Sequence, residues 1–525
     1  MDSEILFSVI MRGIAKEGVR KTGEGDKNKN WNSIYMKTLK TLGELKASGY
    51  QSKSIKAELR ENLIQCMETG VNPFNGIVGY DETVLPDIQR AILSGHNINL
   101  LGLRGQAKTR IARQMTNLLD EWIPVVAGSE LNDDPLHPLS GFAKDIISEN
   151  GDETPITWLH RSERYIEKLA TPDVTIADLI GDVDPIKAAN LKLSYSDERV
   201  IHYGLVPRSN RCIFVINELP DLQPRIQVAL FNILQEGDIQ IRGFQLRLVL
   251  DIQFVFTANP EDYTNRGSII TPLKDRIQSQ ILTHYPKSLE LAQQITSQEA
   301  KLTNEQKKRV QVPHFIAELI ELVAFEARQS EYVDQKSGVS ARLTISGYEN
   351  MVSAAERRAI INKEKNTLAR VSDLMSIVPA ITGKVELVYE GEQEGPQFVA
   401  LRLLGQAIRK KFPQIFPGPE TVKRKKLNNP YTAISEWFAN NDLEILHDAP
   451  QKEYAVALYE VPTLADLVKK YCPGLNEQEM LMMMEFVLHG LAEFSVIGKT
   501  VMDSSTEFGD IMNSLFSGDE KDDNE

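Results

Sequence analysis

Residues Ile98 to Trp122, INLLGLRGQAKTRIARQMTNLLDEW, constrain this chain more than any other stretch. The apolar run Ile98-Asn99-Leu100-Leu101 suits a buried strand. A small glycine-containing turn, Gly102 to Ala107, follows at once. Apolar residues at Ile111, Met115, Leu118, Leu119 and Trp122 then recur at helical spacing, with Lys108 and Thr109 at the helix start. This strand–loop–helix layout is that of a phosphate-binding P-loop.

The chemistry explains the layout. Gly102, Gly105, Gln106 and Ala107 would line a concave anion site with their backbone, and the helix end adds unpaired N–H groups and a positive dipole end. Lys108 would reach the β- and γ-phosphates of ATP, and Thr109 would offer its hydroxyl to Mg²⁺. Ala107 departs from the pattern G-x-x-x-x-G-K-[ST], because it stands where glycine is expected before the lysine. Its Cβ crowds a backbone that passes close to phosphate and disfavours positive φ. Taken alone, the segment also reads as a βα turn that carries Lys-Thr by chance.

Two further strands bring polar tips. Ile213 to Ile216 is a continuous apolar run ending in Asn217-Glu218, as in a strand buried on both faces of a parallel sheet. Glu218 can polarise an attacking water. Asn217 lacks the usual negative charge near Mg²⁺ but can still hydrogen-bond a metal-bound water. Ile252 to Ala258 ends at Asn259-Pro260, where Asn259 could orient the same water; an Asn-Pro turn is the plainer reading. Between them, IQIRGFQLRLVLD alternates around Gly243 and reads as a hairpin. Beyond lie Arg266, then Arg276 after Lys274-Asp275, from which an arginine could reach a neighbouring subunit's γ-phosphate. Residues 287 to about 382 are helical and suit a lid, with Arg342 near a helix start.

The remainder bounds the class. The chain has 525 residues, 42% hydrophobic and 25% charged, as in ordinary globular protein of several domains. A net charge of −14 speaks against general nucleic-acid affinity, although Arg409-Lys410-Lys411 and Lys423 to Lys426 are basic. No run approaches a membrane span. MDSEILFSVIMRG has no basic start or clear cleavage site, and the three cysteines are scattered, so a reducing cytoplasm is expected. PQIFPGPETVKRKKLNNP reads as a linker, QEMLMMMEFVLHGLAEF as a core helix or an adaptable groove, and GDEKDDNE as an acidic tail.

The motif order, with the phrases GLVPRSNRCIFVINELPDL and ANPEDYTNRGSIITPLKDRI, resembles the AAA+ ATPases of the magnesium-chelatase small-subunit and MoxR-like clade over roughly residues 75–385. The resemblance implies an α/β P-loop core with a parallel sheet (76–286) and a helical lid (287–384), between mainly helical extensions at 1–75 and 385–525. It implies Lys108 and Thr109 at phosphate and Mg²⁺, Glu218 activating water, Asn259 as first sensor, Arg276 as a finger acting in trans and Arg342 as second sensor. The clade's inserted helix would fall between Thr171 and Pro207, and its other insertion at the 238–250 hairpin. Rings, usually hexamers, and a partner with a von Willebrand factor A domain are also implied. Ala107 and Asn217 suggest slow or partner-stimulated hydrolysis. A nucleotide-dependent scaffold is the alternative. A transcriptional activator ATPase is disfavoured, since no helix-turn-helix or GAFTGA-type loop is evident.

Overall fold

The computed structural model describes residues 37–192, 198–241, 247–260, 268–424 and 429–511. Its centre is a five-stranded, wholly parallel sheet: β1 (Ile98–Leu101), β2 (Tyr165–Leu169), β3 (Cys212–Asn217), β4 (Ile252–Ala258) and β5 (Ser279–Leu282), in the spatial order β5-β1-β4-β3-β2. The expected α/β class with a parallel sheet is what forms. Sequence alternation accounts for the burial. Phe214, Ile216, Phe254 and Phe256 enter one core cluster, while Ile213, Val215 and Val255 enter the other, so β3 and β4 are covered on both faces. Strand β2, YIEKL, is a half-polar edge strand, and no alternation in the sequence singled it out.

Register fixes the working edge. Leu101 pairs with Ala258, Phe256 with Ile216, and Leu169 with Asn217. Gly102, Asn259 and Glu218 therefore emerge side by side where parallel strands end, the edge at which open α/β sheets bind ligands.

Helices cover the sheet. α1 (Ile55–Thr69) is capped by Ser54, which accepts from the Ala57 N–H, and stops at Gly70 in the left-handed region. Its Ile55, Leu59 and Leu63 share a cluster with Ile98 and Leu100 of β1. Glu58 on α1 receives both terminal nitrogens of Arg164 at 2.7 Å, with side chains only 4% and 1% exposed. This helix of the first 75 residues is thus packed on the sheet, whereas Leu39 and Leu45 pack on Ile156 outside it. α2 (Val84–Leu93) precedes β1, and α3 (Lys108–Gln114) follows it. Spacing in the sequence carries α3 on to Trp122, but the helix ends earlier. Met115–Leu118 is a 3₁₀ turn, and Trp122–Val126 is a strand antiparallel to Ile156–His160. Thr116 and Asn117 are weak helix formers, and Asn117 Nδ2 is spent on the Pro73 carbonyl at 2.8 Å.

Between Thr171 and Pro207 lies a short helix, Pro185–Leu191, flanked by the antiparallel pieces Gly181–Val183 and Ile201–Tyr203. Asp238–Gln240 pairs with Arg247–Val249 as the hairpin. After α4 (Thr271–Arg276) and β5 come α5 (Leu289–Glu299), α6 (His314–Ala327), α7 (Arg342–Ile361), α8 (Pro396–Lys411) and α9 (Glu477–Glu493). One hydrophobic cluster runs from Val310 to Phe508, crossing the composition change near residue 385. The stretch that reads as a linker is packed where described: Phe416 is buried against Phe412 and Phe486. Met482, Met483 and Met484 are core residues. Arg409, Lys410 and Lys411 are ion-paired to Glu420, Glu326 and Glu318 at 2.6, 2.5 and 2.5 Å, so this basic run is neutralised within the fold. Gly243, Arg266, Lys425, Lys426 and the acidic tail lie outside the described residues. Among the described residues no helix is long and apolar enough to cross a membrane.

Candidate functional site

The loop between β1 and α3 turns through two residues of positive φ, Gly105 and Ala107. Gly105 adopts φ +74°, and a Cβ there would meet Ser340 of the lid, with the Ala341 nitrogen at 2.9 Å. Gly102 is equally tight, since a Cβ would run into Thr283 and Gln106. The Gln106 side chain is buried and accepts from Thr283 Oγ1 at 2.6 Å, which ties the loop to the residue after β5. Ala107 has φ 57° and ψ 15°, the left-handed conformation that glycine takes without a steric penalty. The departure from the motif is therefore a strained residue at the mouth of α3.

Lys108, the first residue of α3, is buried. Its Nζ donates to the Leu103 carbonyl at 2.9 Å, to the Gly102 carbonyl, and to Asn259 Oδ1 at 2.7 Å. Asn259 then donates through Nδ2 to Glu218 Oε2 at 3.0 Å. The Glu218 backbone is itself left-handed, at φ 55°, and its N–H donates to Thr257 Oγ1 at 3.2 Å. Thr257 Oγ1 donates to Asn217 Oδ1 at 3.0 Å, and Asn217 Nδ2 donates to Glu167 Oε1. Residues from α3, β2 and the ends of β3 and β4 thus form one polar line. Lys108, Asn217, Glu218 and Asn259 were legible as motif positions. Thr257 and Glu167 were not: one is a polar residue inside an apolar strand, the other lies on the unrecognised edge strand. The hydroxyl of Thr109 makes no hydrogen bond among the described residues and stands one residue from Lys108.

Residues that follow β5 lean on this loop. Tyr285 Oη donates to the Arg104 carbonyl at 3.0 Å, Arg104 pairs with Glu386, and the Arg328 guanidinium lies 4.3 Å over the Tyr285 ring. Ser340 and Ala341 touch Gly105, so Arg342, exposed at the start of α7, is held close to the loop. On the other flank Tyr80 Oη donates to the carbonyls of Gln106 (3.1 Å) and His284 (2.7 Å); burial pushes this hydroxyl up to about 12, which keeps it a donor. Arg276 stands apart. It donates to Gln235 Oε1 (3.2 Å) and the Pro272 carbonyl (2.8 Å) and stacks on Phe231. These contacts do not bring it to Lys108 or Glu218.

The residues present fit a nucleotide phosphate with its cation. A glycine-lined cradle that a Cβ would fill, a buried lysine, an uncommitted threonine hydroxyl and a carboxylate one side chain away are the donor set that such a group requires.

No family model matches the chain, and no curated protein matches it. Among solved structures it is similar to subunits in a magnesium chelatase BchI–BchD complex, at 18% identity over 61% of this chain and 98% of that one, TM-score 0.32. It is also similar to NtrX from Brucella abortus in complex with ADP (12%, 70% of each chain, TM-score 0.34). A mutant of RuvB from Thermotoga maritima is a third (10%, 73% of this chain and 88% of that one, TM-score 0.30). With overlaps this low, function is read from the side chains alone.

Proposed function

We propose that this chain is an AAA+-type ATPase of the magnesium-chelatase and MoxR-like clade, which hydrolyses Mg-ATP in a ring and remodels a partner protein or assists metal insertion. The observation that carries the reading is the unbroken line from Lys108 through Asn259 to Glu218 across the ends of adjacent parallel strands. A chance βα turn would have no reason to end beside a carboxylate and an amide from two other strands.

In this reading, the Gly102–Ala107 backbone and Lys108 would bind the phosphates, and Thr109 and Asn217 would hold Mg²⁺, which would supply positive charge against the phosphate oxygens. Glu218 polarises the attacking water, and Asn259 fixes the Glu218 carboxylate and Lys108 in register. Arg342 reaches the phosphates from the lid. Arg276, whose contacts are with Gln235, Pro272 and Phe231 and not with its own chain's site, serves the site of the next subunit, which makes the enzyme an oligomer, hexameric by the resemblance. The same resemblance suggests a von Willebrand factor A domain partner and a cytoplasmic setting.

Complementation between inactive variants tests this. Lys108→Ala and Arg276→Ala should each be inactive alone, and mixing them should restore turnover at mixed boundaries, where an intact finger faces an intact site. Mixtures that remain inactive would remove the trans-acting site.

A second reading, a nucleotide-dependent scaffold that scarcely hydrolyses, is favoured by one observation: the left-handed Ala107 puts a methyl group at the phosphate loop. Turnover unchanged in Glu218→Gln would support it.

A further inference from the structure

We propose that Glu167 supplies the negative charge that the Asn217-Glu218 pair lacks on its metal side, acting as a positioning residue through the Asn217 amide. The inference rests on the nucleotide-site reading above.

The sheet places the two residues on one face. Leu169 pairs with Asn217 and Glu167 with Val215, so Glu167 and Asn217 lie diagonally across adjacent strands. Val215 belongs to the cluster that includes Ile111 and Ala112 of α3, so this is the face covered by the helix that begins with Lys108 and Thr109. Helix α3 closes the link from its own side: Arg113, one turn beyond Thr109, donates to Glu167 Oε2 at 3.0 Å.

The chemistry of the contact fixes its direction. An ionised carboxylate only accepts, so the Asn217 amide must turn Nδ2 towards Glu167. Oδ1 is then presented to the opposite side, where Thr257 Oγ1 donates at 3.0 Å. Thr257 in turn accepts the Glu218 N–H. Glu167 thereby orders the amide beside the metal position and the backbone of the water-activating residue together.

The pairing also explains why residue 217 is not an aspartate. Two carboxylates in contact here would repel, and one would be forced to hold a proton. The fold accommodates one negative charge at this spot, and in this chain it sits on β2. Arg113 offsets little of it: its side chain is 66% exposed, against 27% for Glu167, and exposed pairs are weak.

The test uses the full chain and a fluorescent ATP analogue, titrated with Mg²⁺ and again in EDTA, with Mn²⁺ as a spectroscopic probe of the bound cation. In Glu167→Gln the Mg²⁺-dependent gain in affinity should fall about tenfold, the effect of removing an outer partner of a metal site, with affinity in EDTA unchanged and Mn²⁺ binding weakened in parallel. Adding Asn217→Asp to that variant moves the charge across the strands and should restore both. Arg113→Ala, a change on the surface that removes a weak pair and leaves the Glu167 charge in place, should keep the Mg²⁺ dependence within about twofold of wild type. Glu167→Gln with undiminished Mg²⁺ dependence, a double variant that does not recover, or an Arg113→Ala that loses the Mg²⁺ dependence as far as Glu167→Gln does would each overturn the proposal. Wild type that binds no nucleotide, or binds it independently of Lys108, would instead refute the nucleotide site itself.

Discussion

Lys108 Nζ and Asn259 Oδ1 are 2.7 Å apart, so the helix that follows one strand is hydrogen-bonded to the tip of the next. The other end of the Asn259 amide holds Glu218. Asn259 thus sets the spacing between the lysine proposed to bind phosphate and the carboxylate proposed to activate water. Asn259→Ala should leave ATP affinity within about threefold and lower turnover by roughly 10²-fold, the scale of a lost acid–base arrangement. Parallel binding and steady-state measurements check this. An equal loss in both would make Asn259 a binding residue only.

Ala107 holds a left-handed backbone at φ 57° without the freedom of glycine. Ala107→Gly should raise stability by about 1 kcal/mol, since an alanine at positive φ costs more than the added chain entropy of glycine. It should also tighten ATP binding by clearing the methyl group from the loop. A rise in melting temperature without ligand is the readout; a fall would mean that the loop rearranges in solution.

The Glu58–Arg164 pair carries α1 onto the sheet. Both side chains are almost fully enclosed, so removing one strands the other's charge. Arg164→Ala should destabilise the chain by roughly 3–5 kcal/mol, seen in chemical denaturation, whereas an exposed pair such as Lys46–Asp152 should matter by less than about 1 kcal/mol.

Glu321, in the base of the lid, is pushed up to about 7 by burial, against which its hydrogen bond from Thr296 works. The folded state therefore binds this proton more tightly than the unfolded chain does. Its contribution is fully present below about pH 4.5, falls as pH rises, and is gone above about pH 7. Compared with wild type, Glu321→Gln should gain stability on going from pH 5 to pH 8, by up to roughly 3 kcal/mol. Melting curves across that window check the sign. Parallel pH profiles for the two proteins would contradict it.

The parts of the site that follow one another in the chain were legible. Gly105, Lys108 and Thr109 announce a loop and a helix start, and runs such as Ile213–Ile216 announce strands that must be buried on both sides. The parts that depend on register were not. Glu167 lies on YIEKL, which has too few apolar residues to declare a strand, and it meets Asn217 only because Leu169 aligns with that residue. Thr257 is concealed in the same way inside IQFVFTA. Trp122 fits the helical spacing of α3 equally well, and only its pairing with His160 decides for a strand. The packing of residue 416 and its neighbours was obscured by prolines that suggested a linker, while Phe416 in their midst is a core residue.

Steady-state ATP turnover of Glu218→Gln beside wild type, with nucleotide binding measured on both, decides whether Glu218 drives hydrolysis. Hydrolysis through Glu218 in a ring predicts wild-type turnover per chain that rises with protein concentration, and a variant that binds ATP as tightly yet has lost turnover by at least about 10²-fold. Turnover preserved in Glu218→Gln, or absent from wild type at every concentration while ATP still binds through Lys108, would contradict hydrolysis at this site.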